Sequence, residues 1–126
     1  MNVSVLLKVH AIVIGLFGIG FLIAPAAFGS TYVGGVNATT ELALRNAGVG
    51  LLVVGIVSWF AAAAAPSALR LWIVRAFALG AALGALLTFV GMSSGVMGAT
   101  GWVNVVIQVI FLVGFGYYGF VKTQAA

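Results

Sequence analysis

The chain has 126 residues, of which 64% are hydrophobic and only 5% charged, with a formal net charge of +4. A soluble domain needs roughly 25% charged residues to face water, so most of this surface must meet lipid or other protein. One acidic residue, one histidine and no cysteine exclude paired-carboxylate hydrolysis, thiolate chemistry and disulfides, and leave no set of ligands for a divalent metal.

The first predicted helix covers residues 5–24 and stops at Pro25. Lys8 before the apolar run and Ala24-Pro25-Ala26 after it imitate a secretory signal, but the segment reads as a retained helix. The second covers 40–65 and opens with "TTELALRNAGVG", where Thr39 or Thr40 can cap the helix. Glu41 in its first turn complements the helix dipole and stands four residues before Arg45, a spacing that predicts an ion pair. The third covers 68–92, with Ser67 as its N-cap, and fades before "SSGVMGATG"; the fourth covers 102–121. A membrane crossing needs about 20 apolar residues, and alternating barrel strands are missing. The chain therefore reads as all-α, a single transmembrane domain over 1–126 forming an integral membrane four-helix bundle.

Four crossings put both termini and the 66–70 connection on one side, with Lys8, Arg70, Arg75 and Lys122. The other side has Arg45 with Glu41, and the 93–101 loop carries no charge. The positive-inside rule then places both termini in the cytoplasm. Trp59, Trp72, Tyr117 and Tyr118 form one expected aromatic belt, and Phe28, Tyr32 and Trp102 the other. The basic residues stand beside apolar runs, which suits topology signals and lipid headgroups rather than nucleic acid.

Small residues let membrane helices approach closely. Ala76, Gly80, Gly84 and Thr88 recur at steps of four in the third helix, as do Ala11 with Gly15 and Gly20 with Ala24 in the first. Such stripes serve packing within the bundle or the docking of a partner subunit.

The candidate site is polar. Arg45 lies about 7 Å into the second helix at 1.5 Å per residue. By the same counting Asn46, Thr88, Asn104 and Gln108 fall in one layer, drawn from three helices. Intramembrane polar groups turn inward and seek each other, so an inward cluster is expected. Interhelical hydrogen bonding, snorkelling of Arg45 and binding of a ligand or ion all fit that layer. His10 is the one side chain suited to ligate haem iron or bacteriochlorophyll. Leu6 one turn earlier occupies the place where light-harvesting helices keep a small residue, which favours interface placement or a hydrogen bond to another helix. Asn37-Ala38-Thr39 matches a glycosylation motif of low specificity. Ser58, Ser93 and Ser94 lack acid–base companions in the sequence.

The size, the segment "PAAFG" after the first helix and "LRNAGVGLLVVG" opening the second resemble small bacterial four-helix membrane proteins of the DoxX-like kind. The resemblance implies a helical bundle with an accessory role beside oxidoreductase subunits, and supplies no catalytic residues. The function expected is a non-catalytic accessory subunit of a larger membrane complex, of respiratory, photosynthetic or oxygenase type, in contact with lipid and other integral subunits. The rival is a stand-alone channel, carrier or lipophile-binding bundle, acting as a homo-oligomer.

Overall fold

The computed structural model describes residues 2–123. Met1 and residues 124–126 lie outside the described residues. Four helices are long and apolar enough to cross a membrane: α1 (Val3–Ile23), α3 (Ala38–Ala63), α4 (Ala68–Ser93), and α5 (Gly101–Gly116) continued by a π-helical turn (Tyr117–Val121). A fifth, short helix, α2 (Pro25–Gly29), was not expected. The backbone breaks at Ala24 (φ −129°, ψ 58°), and Pro25 starts a new turn, a position where its missing N–H and fixed φ cost nothing.

Local chemistry sets the ends. Asn2 caps α1 by accepting from Val5 N at 2.9 Å, and Ser67 caps α4 by accepting from Arg70 N at 3.2 Å. The cap of α3 is Asn37 rather than Thr39 or Thr40: Asn37 Oδ1 accepts from Thr40 N at 2.9 Å. The asparagine of the glycosylation-like motif is thus engaged in helix capping. α4 ends on Gly95 at φ 75°, with Val96 N donating to Gly91 O and Gly95 N to Met92 O. This is a Schellman motif, in which glycine meets the left-handed position without a Cβ clash.

The long helices alternate in direction and associate as two hairpins, α1 with α3 and α4 with α5. The α1–α3 contact is built on glycine: a Cβ at Gly48 would lie 2.8 Å from Gly18 O and 2.9 Å from Leu22 N, and one at Gly55 would lie 3.2 Å from Ala11 O. At the far end, Gly98 N donates to Tyr32 O at 2.9 Å, tying the α2–α3 connection to the α4–α5 loop.

Three arginines hold helix C-termini, where unpaired carbonyls and the dipole attract cations. Arg45 donates to Leu22 O in the last turn of α1. Arg70 donates to Ala64 O at the end of α3 and to Ser4 Oγ of α1 at 2.7 Å. Arg75 Nε donates to Gly119 O in the π-turn at 2.9 Å. The core gathers at the Arg70 end, with Leu7, Val74, Phe111, Phe115 and Tyr118 buried. Tyr118 thus belongs to the core and not to an aromatic belt, whereas Trp59, Trp72 and Trp102 are exposed. The outward faces carry large apolar side chains such as Phe60, Leu69, Leu87 and Val113. A water-facing bundle would place polar residues there.

Candidate functional site

The half of the bundle away from Arg70 holds a polar group. Asn104, in the first turn of α5, donates through Nδ2 to Thr88 Oγ1 of α4 at 2.8 Å. Thr88 Oγ1 passes its own proton to Gly84 O at 2.8 Å. Gln108, one turn further along α5, lies across Gly84, where a Cβ would stand 2.9 Å from Gln108 Nε2. Gly84 is small because the carboxamide occupies the space. The amide of Gln108 has no hydrogen-bond partner among the described residues.

Asn104 and Gln108 border a pocket of ≈ 180 Å³ closed by Ile14, Phe17 and Phe21 of α1, Leu51 of α3 and Tyr32. Tyr32 was expected in an aromatic belt; it is instead half-buried, with its ring centroid 6.1 Å from that of Phe21. Its hydroxyl makes no hydrogen bond among the described residues, and burial raises its pKa, so it remains a neutral donor. The lining offers donors and acceptors but no carboxylate, ammonium or imidazole. It suits a neutral polar group rather than an ion.

Three of the five expected cluster members therefore meet, and two do not. Arg45 is exposed and turned to Leu22 O, and Asn46 is exposed without a hydrogen bond. α3 packs chiefly on α1, and at this level Leu51, not Arg45 or Asn46, is the α3 residue that faces the pocket. The expected Glu41–Arg45 ion pair is also absent, since Glu41 has no partner among the described residues. Arg45 turns across to the unpaired carbonyl of α1, which a local pair would leave unsatisfied.

His10 is buried where all four long helices meet. Its Nδ1 lies 3.0 Å from Ser58 Oγ, which itself donates to Leu7 O at 3.0 Å. A hydroxyl has one proton, so the imidazole donates through Nδ1. Phe77, Phe111 and Phe115 surround the ring at centroid distances of 4.8, 4.7 and 5.0 Å. That aromatic packing leaves no open face for a haem or bacteriochlorophyll macrocycle, so the residues do not fit such a ligand. Ser58 does have the imidazole companion that was not evident in sequence, but it is 0% exposed and its proton is directed to a backbone carbonyl. The pair reads as an interhelical hydrogen bond. No group of three or more His, Cys, Asp or Glu that could hold a metal exists among the described residues.

The small-residue stripe of α4 divides. A step of four residues turns about 40° around a helix, so Ala76 and Gly80 are exposed while Gly84 meets Gln108 and Thr88 is buried. Nothing lies within 4 Å of a Cβ built on Gly80. Ala11 and Gly15, by contrast, back onto Gly55 within the bundle. Beside the outward part of the stripe runs a groove of ≈ 560 Å³ lined by Trp72, Arg75, Ala76, Leu79 and Phe120. No family model, curated protein or solved structure matches the chain.

Proposed function

We propose that this is an integral membrane protein of the bacterial cytoplasmic membrane, serving as a non-catalytic accessory subunit that packs against a larger membrane enzyme. The observation that carries the reading is the outward Ala76–Gly80 face of α4. Small residues in a membrane helix admit a close neighbour, and inside this chain Gly80 has none. The adjoining groove adds Trp72 and Phe120, with the Arg75 guanidinium 4.9 and 5.4 Å from their rings. Aromatic and arginine side chains of this kind are frequent anchors at interfaces. The resemblance to DoxX-like proteins points the same way.

Gentle purification from native membranes tests this. A larger membrane enzyme is expected in fixed ratio with the chain, and Gly80→Leu should release it while leaving the bundle no less stable than wild type. A clean homo-oligomer of this chain alone would contradict the accessory role. The second reading, a stand-alone lipophile-binding bundle, draws support from one observation, the unpartnered polar groups around the Gln108 pocket.

A further inference from the structure

We propose that the seam between α1 and α5 binds one neutral single-chain amphiphile, its hydrogen-bonding head among Tyr32, Asn104 and Gln108 and its chain along the seam. The inference rests on the reading that the helices span a bilayer and is independent of any partner subunit.

Two openings share this seam, because α1 and α5 touch at few places. The first is the ≈ 180 Å³ polar pocket. The second is a groove of ≈ 290 Å³ lined only by apolar side chains, Leu6, Val9 and Val13 of α1 with Ile107, Ile110 and Phe111 of α5. Ile107 borders both, so polar and apolar spaces adjoin. From Asn104 to Phe111 the helix advances about 10 Å at 1.5 Å per residue, which seats the head-proximal part of a long acyl chain. The polar end lies near the start of α5 and the apolar end nearer its middle. A lipid in one leaflet, head at the interface and chain inward, has the same order.

The chemistry of the lining selects the head. A charged group would enter without a counterion, since Arg45 is committed to Leu22 O and no ionised side chain borders the pocket; that burial is costly. Among the described residues the Gln108 carboxamide, Asn104 Oδ1 and the Tyr32 hydroxyl have no hydrogen-bond partner, so a head that both donates and accepts satisfies them. Pockets for whole drug-sized ligands span roughly 300–1,000 Å³, so this one takes a head group whose remainder lies in the groove. Esters, amides and alcohols of long-chain acids have that form.

The test uses the purified chain in detergent, monoolein as the neutral probe, and native mass spectrometry as the readout. One monoolein per chain is expected at saturation, with oleate and oleoyl lysophosphatidylcholine binding at least about tenfold more weakly. Gln108→Leu and Tyr32→Phe should each lower monoolein affinity by up to about tenfold, the effect of one lost hydrogen bond. Ile110→Trp, which fills the apolar groove, should abolish it, and Leu83→Ala on the outer face of α4 should not change it. Equal binding of the three lipids would overturn the proposal, as would wild-type affinity in a folded Gln108→Leu protein. If that variant fails to fold, Tyr32→Phe decides, because it deletes one oxygen outside the long helices. The assay needs no partner, so its failure is separable from a failure of co-purification.

Discussion

Gly48→Leu should separate α1 from α3 and lower bundle stability by about 3 kcal/mol or more, at the upper end of the overpacking range. The reason is what the new side chain meets. A Cβ at this position would stand 2.8 Å from Gly18 O and 2.9 Å from Leu22 N, both backbone atoms of a continuous helix. A side-chain neighbour can rotate away, whereas α1 can only move as a body. Moving it would also draw Leu22 O from Arg45, so two contacts fail together. Gly80→Leu is the matched control, because open space surrounds that Cβ and leucine favours a helix over glycine by roughly 0.5–1 kcal/mol. SDS titration of both variants in mixed micelles, followed by circular dichroism, is the measurement. A Gly48→Leu protein as stable as Gly80→Leu would remove the glycine contact as the basis of the hairpin.

The second large effect concerns Arg70. Arg70→Met should cost about 2–3 kcal/mol in the same titration, the scale of hydrogen bonds made by a charged group. Arg70 is 4% exposed, and its guanidinium joins three helices, donating to Ala64 O and to Ser4 Oγ. Burying it carries a desolvation cost, and its Nε has no hydrogen-bond partner among the described residues, so methionine recovers part of the loss. The carbonyl of Ala64 decides the sign, because methionine cannot satisfy it. Arg70→Lys should recover little, since an ammonium lacks the fork that spans two acceptors. Arg75→Met should cost less, as Arg75 makes one such bond, to Gly119 O, from the side of an open groove. Equal stability of Arg70→Met and wild type would show that the clamp contributes nothing net.

The four long helices were legible because span length and breakers are local: Pro25, Pro66 and the 93–101 loop cut the chain where the helices end. Counting residues from the helix ends also grouped Asn104, Thr88 and Gln108, which do come together between α4 and α5. Rotation about each axis was not. These helices are apolar on every side, so no polar face marks the inward direction; Arg45 and Asn46, about 100° apart around the helix, are grouped with the layer by depth alone, and both are exposed. The arginines had a sufficient explanation in charge topology, which concealed their use at the C-termini of neighbouring helices. Partners distant in sequence, such as Gly84 with Gln108 or His10 with Ser58, depend on which helices pair. Only the α4 stripe held a usable sign, since a four-residue step drifts around the helix and cannot keep Ala76 and Thr88 on one face.

The reading depends first on the chain threading a membrane four times, and cysteine accessibility tests that most directly. The sequence contains no cysteine, so single substitutions report without interference. Ala65→Cys, between α3 and α4, should react with a membrane-impermeant maleimide only from the cytoplasmic face of sealed vesicles. Gly34→Cys and Ser94→Cys should react only from the opposite face, and Leu83→Cys, outward within α4, from neither. Labelling of all four positions from both faces would contradict the four-span bundle and the functional reading built on it.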